Sequence, residues 1–253
     1  MFNYEGRVVF ITGSSSGLGK QMAKGFANQG ADLVITARRL DKLEEVAKEL
    51  REEFGIKVLP VQCDVTDTEQ VNEAVEKAIA EYGKIDVLVN NAGGAKNAAV
   101  TEMTDEEWEF TVETDLNSVF KVTRAVANKM KEKGYGRIIN IASMYGIIGT
   151  NQGASPYHAA KAGVIGFTKA AAAELAPFGI NVNAICPGYF ATELTVATLE
   201  TEGFKQYMGL TVPLARAGQE GELNAGAIFL GSEEASYVTG IALPIDGGWS
   251  NIK

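Results

Sequence analysis

A tyrosine and a lysine lie one helical turn apart in the segment ASPYHAAKAG, residues 154–163. Side chains four residues apart share one face of a helix, so the Lys161 ammonium is expected beside the Tyr157 phenol. A nearby positive charge favours the phenolate, and such a phenol can serve as a general acid or base. His158, the only histidine, is expected about 100° away around the helix, in a peripheral position. Because such pairs also occur on exposed helices, other parts of the chain must supply the partners for this chemistry.

The composition excludes several classes of protein. The chain has 253 residues, of which 46% are hydrophobic and 22% charged, values typical of globular proteins. Its net charge of -9 argues against nucleic acid, whose phosphates require a basic face. Cys63 and Cys186 are expected to be buried free thiols, and with a single histidine no metal site is predicted. No apolar stretch forms a signal peptide or a membrane span, so we expect a cytoplasmic protein that binds no membrane.

Short β-branched runs alternate with longer helical patterns along the whole chain. This alternation predicts one α/β domain over residues 1–253, a Rossmann fold with a doubly wound, seven-stranded parallel sheet and helices on both faces. The helical period predicts one helix that ends at Gly83 and one longer helix over 104–134. The segment at about 188–218, between the sixth and seventh strands, is predicted to be a lid over a ligand. The predicted strands span residues 7–12, 31–37, 57–63, 85–90, 136–142, 180–186 and 240–246.

A glycine-rich turn, TGSSSGLG, follows the first predicted strand and opens the first helix. Glycines at positions 13, 17 and 19 allow close backbone approach to a pyrophosphate, and the helix N-terminus favours its charge. The second strand is followed by Arg38 and Arg39, where a site for an unphosphorylated ribose usually has an acid. Guanidinium groups match a 2′-phosphate, so the sequence predicts NADP(H) in preference to NAD(H).

Together these motifs resemble the short-chain dehydrogenase/reductase family, in its compact single-domain branch. The resemblance covers nearly the whole chain and implies an NAD(P)-dependent oxidoreductase that interconverts a secondary alcohol and a ketone. It also implies a catalytic tetrad of Asn117, Ser143, Tyr157 and Lys161. The segments that carry the resemblance are TGSSSGLG (12–19), CDV (63–65), NNAG (90–93), DLNSVF with Asn117, NIAS with Ser143, Tyr157 with Lys161, and PGYFATEL (187–194).

The resemblance gives each tetrad member a role. Tyr157 would be the general acid in reduction and the base in oxidation, and Lys161 would tune it while binding the nicotinamide ribose. Ser143 would hold the substrate oxygen and stabilise its developing charge. Asn117 would support Lys161 through a water molecule, completing a proton relay.

The resemblance also assigns the residues that hold the cofactor, with Asp64 and Val65 at the adenine. The sequence departs from the family at Ala160, where a serine is usual, and at Ala37, where an aspartate is absent. Neither departure removes a tetrad member, and the second bears only on cofactor choice. The predicted cofactor contacts are Gly13, Ser15, Ser16, Gly17, Leu18, Gly19, Arg38, Arg39, Asp64, Val65, Asn91, Ala92, Gly93, Tyr157, Lys161, Pro187, Gly188 and Thr192.

Four residues are candidates for substrate contact: Lys96, Tyr145, Asn151 and Tyr189. Aromatic and amide groups suit a polar substrate with hydroxyls, and Lys96 would attract a carboxylate. NIASMYG and PGYFATELT most resemble the gluconate 5-dehydrogenase type of the family, which predicts a sugar acid and its keto form as substrates. The alternatives are a 3-ketoacyl thioester reductase, a hydroxysteroid dehydrogenase and a non-catalytic nucleotide-sensing protein. The resemblance further implies a homotetramer or a dimer.

Overall fold

The β-branched runs form a single parallel sheet in the computed structural model, which describes residues 2–192 and 195–251. Within these ranges the strand order is β3-β2-β1-β4-β5-β6-β7, and every neighbouring pair is parallel. The sequence prediction of a seven-stranded parallel sheet is therefore confirmed. The strands are Val8–Thr12 (β1), Asp32–Ala37 (β2), Val58–Gln62 (β3), Val87–Asn90 (β4), Gly136–Ile141 (β5), Ile180–Pro187 (β6) and Ala242–Ile245 (β7).

Helices cover both faces of the sheet, as predicted. Apolar side chains of α1, α2 and α9 pack on one face, and those of α3, α5 and α6 pack on the other. No helix in the described ranges combines the length and the apolar character needed to cross a membrane. The helices are Gly17–Ala27 (α1), Leu40–Phe54 (α2), Thr68–Tyr82 (α3), Asp105–Val112 (α4), Ser118–Lys133 (α5), Ser155–Leu175 (α6), Val196–Leu199 (α7), Glu202–Thr211 (α8) and Asn224–Gly231 (α9).

The sheet order reverses at β1. The chain runs from β1 to β2 and β3 on one side, whereas β4 pairs with β1 on the other side. The carboxyl ends of β1 and β4 therefore border a crevice, the usual ligand position in doubly wound sheets. The Asn91 side chain donates hydrogen bonds to the carbonyl oxygens of Thr12 at 2.9 Å and Gly13 at 3.2 Å. These bonds fix the loops after β1 and β4 against each other.

The helix predicted over 104–134 is present from Asp105 to Lys133, but its middle is not α-helical. A capping box between Thr104 and Glu107 starts α4, and Gly134, in the left-handed conformation, ends α5. Between the two helices lies a π turn, Glu113–Asn117. A π turn has more residues per turn than an α-helix, so the positions that face the core change there.

The segment predicted to be a lid contains α7 and α8. Its two ends meet, because the Gly218 N–H donates to the Tyr189 carbonyl at 2.8 Å and the Ala191 N–H to the Gly218 carbonyl at 3.0 Å. Glu193 and Leu194, at the end of PGYFATEL, lie outside the described residues.

Both cysteines are buried free thiols. Burial raises the pKa of Cys63 to about 12 and that of Cys186 to about 11. Because the thiolate is the reactive form, we expect neither cysteine to react with iodoacetamide at about pH 8 in the folded protein. Mass spectrometry should find both unlabelled until urea unfolds the chain. Rapid labelling of native Cys186 would contradict this.

Candidate active site

The glycine turn after β1 is too closely packed for larger residues. A Cβ on Gly19 would lie 2.3 Å from the Gly13 carbonyl oxygen and 2.5 Å from Asn91 Nδ2. Gly13 has a φ of +68°, and a Cβ there would lie 2.8 Å from the Ala92 Cα. The turn that contains Ser15 and Leu18 therefore packs closely against the loop after β4, which borders the crevice.

The first turn of α1 has free N–H donors. Its N-cap residue, Ser16, has extended backbone angles and makes no side-chain capping hydrogen bond within the described chain. Such N–H groups favour an anion, and a pyrophosphate is the anion expected here. Thr192 lies over the same turn, because its methyl carbon is 3.8 Å from the Cβ position of Gly17.

Arg38 and Arg39 lie at the carboxyl end of β2, next to the glycine turn in the sheet. Both side chains are exposed, and within the described ranges neither guanidinium forms an ion pair. Gln62 donates a hydrogen bond to the Arg38 carbonyl at 2.9 Å, which fixes the backbone there. Two positive charges therefore remain available beside the crevice.

The other predicted cofactor residues lie on loops at the same edge of the sheet. The Asp64 carboxylate accepts hydrogen bonds from the Thr66 N–H at 3.0 Å and the Thr66 hydroxyl at 2.7 Å, and Val65 is buried. Pro187 ends β6, and the Gly188 N–H donates to the Ile245 carbonyl at 2.9 Å.

Tyr157 and Lys161 share one face of α6, as their spacing predicted. The Lys161 Nζ lies 5.4 Å from the centroid of the Tyr157 ring and donates to the Ile141 carbonyl at 3.1 Å. Ser143, two residues after Ile141, is buried on a turn that packs against α6. A Cβ on Gly146 in that turn would lie 2.8 Å from the Lys161 carbonyl carbon. The structure therefore places Ser143, Tyr157 and Lys161 in one corner of the site.

The structure does not bring Asn117 to Lys161, which corrects the predicted placement. Asn117 is exposed, and its amide donates to Glu113 Oε2 at 2.6 Å. Glu113 in turn pairs with Lys121, away from α6. The carboxylate of Asp115 instead forms an ion pair with Lys161, with Oδ1 3.0 Å from Nζ. The π turn is the reason, because it changes which positions of this segment face inward.

Two opposing effects act on the pKa of Lys161. Burial lowers this pKa, but the charges of Asp115 and of the Tyr157 phenolate raise it by more, so it lies above its usual value. Lys161 therefore carries its positive charge in the folded protein although it is only 4% exposed.

Aromatic and amide side chains form a wall beside Tyr157. The Tyr145 ring packs edge to face on the Tyr157 ring at 5.9 Å, and its hydroxyl lies 2.8 Å from that of Tyr189. Gln152 accepts a hydrogen bond from the Tyr145 hydroxyl and donates one to the Tyr189 hydroxyl at 3.4 Å. Trp249 packs on Tyr189 with 5.5 Å between ring centroids. We call Tyr145, Gln152, Tyr189 and Trp249 the aromatic wall.

The remaining candidates lie outside this wall. Lys96 and Asn151 are both exposed. The Lys96 Nζ lies 5.6 Å from the centroid of the Phe110 ring, and Asn151 lies on the loop before α6. His158 stacks on Tyr145 with 4.6 Å between ring centroids, and its Nδ1 donates to the Ala154 carbonyl at 2.8 Å. His158 therefore packs against the Tyr145 ring of the aromatic wall.

Comparison with known proteins identifies the family to which this arrangement belongs. A family model described as short chain dehydrogenase matches residues 7–203. The chain belongs to the short-chain dehydrogenase family. Both the resemblance found in the sequence and the predicted fold are confirmed, and the members of this family are oxidoreductases that use a nicotinamide cofactor.

Relatives of this short-chain dehydrogenase act on different substrates. The 3-oxoacyl-(acyl-carrier-protein) reductase FabG of Escherichia coli is 39% identical over 246 residues, 97% of this chain and 98% of that protein. FabG of Thermotoga maritima is 41% identical over 244 residues, 96% of this chain and 98% of that protein. The crystal structure of a gluconate 5-dehydrogenase from Burkholderia cenocepacia in complex with NADP and tartrate has a TM-score of 0.95. It shares 36% identity and covers 100% of this chain and 98% of its own.

The crevice of this short-chain dehydrogenase fits such a cofactor. Gly13 and Gly19 pack directly against protein atoms and have no room for a Cβ, and the first turn of α1 offers N–H donors to a pyrophosphate. Gly93 is exposed on the loop after β4, next to the Lys161 ammonium. Residues at both ends of the crevice can therefore hold a dinucleotide.

Sequence reasoning missed two residues of this short-chain dehydrogenase's site. Asp115 lies in a helical pattern that predicts no π turn, and its neighbours Glu113, Thr114 and Asn117 are polar, so no signal in the sequence indicates its burial. Trp249 comes from the far end of the chain, and only the resemblance of PIDGGW to the family could have pointed to it.

Proposed function

We propose that this short-chain dehydrogenase is an NADP(H)-dependent enzyme that interconverts a secondary alcohol and a ketone on a sugar acid, of the gluconate and 5-ketogluconate type. The observation that carries the chemistry is the charged, buried Lys161 beside the Tyr157 ring, at 5.4 Å from its centroid. A positive charge in this position stabilises the negative charge that forms on the Tyr157 oxygen while its proton is transferred, so Tyr157 is suited to act as acid and base.

The chain's own residues would then divide the work. A bound nicotinamide coenzyme supplies the two-electron redox step. Tyr157 gives a proton to the substrate oxygen in reduction and takes it back in oxidation. Ser143 donates a hydrogen bond to the same oxygen and stabilises the negative charge that develops there. Lys161 holds its charge next to the phenol and has a further N–H donor for the nicotinamide ribose.

The aromatic wall supports a polyhydroxylated substrate. The hydroxyls of Tyr145 and Tyr189 and the amide of Gln152 lie together beside Tyr157, and each can bond a substrate hydroxyl. Flat aromatic faces next to them suit the carbon chain. The Burkholderia cenocepacia enzyme, named a gluconate 5-dehydrogenase and crystallised with tartrate, supports the same class. A 3-oxoacyl thioester is the second candidate, supported by the two FabG relatives.

A substrate panel tests this proposal. Gluconate, 5-ketogluconate, an acetoacetyl thioester and a ketosteroid are assayed with NADP(H) and with NAD(H) by absorbance of the reduced cofactor. We expect kcat/KM for the sugar acid pair to exceed the others by about two decades or more. Faster reduction of the thioester would replace the sugar acid by the second candidate. Nucleotide binding without turnover of any substrate would indicate a nucleotide-sensing protein.

Arg38 is expected to set the cofactor preference. Replacement by alanine removes a guanidinium that would form charge-assisted hydrogen bonds to the 2′-phosphate, each contributing about 1.5–3 kcal/mol. We expect Arg38→Ala to lower kcat/KM for NADPH about 10- to 100-fold with little change for NADH. Lys48→Ala, which removes an exposed charge from α2, is the control and should alter neither value. A wild-type enzyme that prefers NADH would refute the assignment.

We also propose that residues 188–218 cover the bound substrate and that the protein is a homotetramer or a dimer. Tyr189 in the aromatic wall and Thr192 over the glycine turn support the first proposal. Half-exposed Phe120 on α5, packed edge to face against Phe167 of α6, supports the second. Light scattering after size exclusion measures the oligomeric state, and a monomer would exclude the assembly.

A further inference from the structure

A second cleft opens at the amino-terminal edge of the sheet, on the side opposite the cofactor crevice. Its volume is about 430 Å³, a size typical of small-molecule sites. One strand of five residues, β1, separates it from the glycine turn, a distance of about 17 Å. The cleft is therefore separate from the candidate active site. The residues that give its lining its chemistry are Arg7, Tyr82, Lys84, Asp86, Lys133 and Tyr135.

The topology of the sheet brings these residues together. Arg7 directly precedes β1, Asp86 directly precedes β4 and Tyr135 directly precedes β5, and these three strands are neighbours. Lys133 is the last residue of α5, and Lys84 lies between α3 and β4. Charged side chains from distant parts of the sequence therefore meet at one edge.

The buried carboxylate of Asp86 positions two of the cations. Its Oδ1 accepts a hydrogen bond from Arg7 at 3.2 Å, and its Oδ2 lies 3.0 Å from Lys84 Nζ. The Val8 N–H donates to Oδ2 at 2.8 Å, which fixes the carboxylate to the start of β1. One carboxylate therefore holds two cations at the cleft but balances only one of their charges.

The half-buried ring of Tyr135 lies against two guanidinium groups. The Cζ atoms of Arg7 and Arg137 lie 4.5 Å and 4.6 Å from the ring centroid. Arg137 is buried, and its Nε donates to the Ser232 carbonyl at 3.2 Å. The Tyr135 hydroxyl makes no hydrogen bond within the described ranges, so it can bond a ligand.

Lys133 supplies the third positive charge of the cleft. It is exposed, and it forms no ion pair in the part of the chain that the structure describes. Lys131, two residues earlier, has different surroundings, because its Nζ lies 4.1 Å from the centroid of the Phe178 ring. An anion in the cleft would therefore meet an ammonium group that no described carboxylate neutralises.

The cleft has excess positive charge, although the whole protein has a net charge of -9. Three cations and one carboxylate are among its described lining residues, which leaves two positive charges. The C-terminal ends of α3 and α5 also meet the cleft, and each contributes about half a negative charge. An excess of about one positive charge remains. The electrostatics of the cleft therefore favour an anionic ligand.

We propose that this cleft binds a small phosphate monoester, such as a sugar phosphate. Phosphate oxygens accept charge-assisted hydrogen bonds from lysine and arginine, and the cleft offers both. A bare phosphate ion would leave most of the cleft empty, whereas a hydroxylated carbon skeleton fills more of it and can bond the Tyr135 hydroxyl. The site goes beyond the proposed function, because it shares no residue with the cofactor crevice or the aromatic wall.

Calorimetric titration of the cofactor-bound enzyme with glucose 6-phosphate tests this proposal. NADP⁺ at saturating concentration fills the crevice, so that the sugar phosphate does not bind at the glycine turn. We expect Lys133→Ala to weaken binding about 10-fold or more, because a charge-assisted hydrogen bond is lost. Lys133→Arg keeps the charge and should bind with nearly the affinity of wild type. Lys131→Ala is the matched control, since it removes an exposed lysine from the same turn of α5 outside the cleft, and its affinity should equal that of wild type.

Two further ligands test the two parts of the sugar phosphate separately. Glucose lacks the phosphate, and we expect it to give no binding signal at the concentration that saturates with glucose 6-phosphate. Inorganic phosphate lacks the carbon skeleton, and we expect it to bind about 10-fold more weakly, the loss of one or two neutral hydrogen bonds.

Several outcomes would overturn the proposal. They are no binding of glucose 6-phosphate to wild type, equal affinity of wild type and Lys133→Ala, or equal affinity for inorganic phosphate and the sugar phosphate. Loss of binding in Arg38→Ala but not in Lys133→Ala would also overturn it, because the ligand would then lie in the crevice. Failure of every substrate in the panel removes the proposed function but leaves this comparison intact, since Lys133 and Arg38 lie at opposite edges of the sheet.

Discussion

Replacing Tyr157 with phenylalanine is expected to lower kcat by roughly 10²- to 10⁴-fold. The variant keeps the ring that packs against Tyr145 but loses the hydroxyl that exchanges a proton with the substrate oxygen. Cofactor affinity should fall far less than kcat, because Tyr157 is only one of the predicted cofactor contacts and Lys161 and the glycine turn are untouched. Steady-state kinetics and quenching of protein fluorescence by NADPH measure the two effects separately.

Tyr237→Phe is the matched control for this change. Tyr237 is fully exposed, so loss of its hydroxyl should leave turnover and cofactor binding at wild-type values. Wild-type turnover in a folded Tyr157→Phe variant would refute the acid–base role. It would then direct attention to Tyr145 as the phenol that meets the substrate.

Gly19→Ala is expected to abolish cofactor binding and to lower the free energy of unfolding by about 3 kcal/mol. The new methyl group would lie 2.3 Å from the Gly13 carbonyl oxygen, and a backbone atom fixed between β1 and α1 cannot move aside. The turn must shift, and with it the N–H groups that would bind the pyrophosphate. Urea unfolding and NADPH titration measure both losses.

Gly209→Ala is the control for glycine replacement within a helix. A Cβ at Gly209 in α8 would meet nothing within 4 Å. Helix propensity then predicts a gain of up to about 1 kcal/mol. Equal destabilisation by both replacements would mean that the loss at Gly19 has no connection with its contact to Gly13.

The architecture could be predicted from the sequence because its signals are local. Each strand of a parallel sheet buried on both faces is a short apolar run such as VVFIT, and each helix shows its own period and its own caps. The glycine turn was recognisable for the same reason, since its conformation and close contacts require glycine at fixed spacing. Family and fold followed from these local signals.

The site could be predicted only where its residues lie on one element. Tyr157 and Lys161 share a helix, so their spacing determined their relation. The ion-pair partner of Lys161 could not be predicted from the sequence. The period of a regular α-helix does not indicate a π turn, and this π turn directs Asp115 instead of Asn117 toward the interior. The aromatic wall joins residues more than 100 positions apart, from Tyr145 to Trp249, and no spacing rule relates them.

During synthesis, β1, β2 and β3 leave the ribosome before β4, so one edge of β1 stays unpaired until residues 87–90 emerge. An unpaired apolar edge promotes association with other chains, and β1 is buried along its whole length in the finished sheet. The glycine turn after β1 also lacks one of its contacts until Asn91 is present, because the Asn91 amide donates a hydrogen bond to the Gly13 carbonyl. A nascent chain shorter than this therefore has no formed nucleotide site, and a nicotinamide cofactor can stabilise the protein only after β4 has joined the sheet.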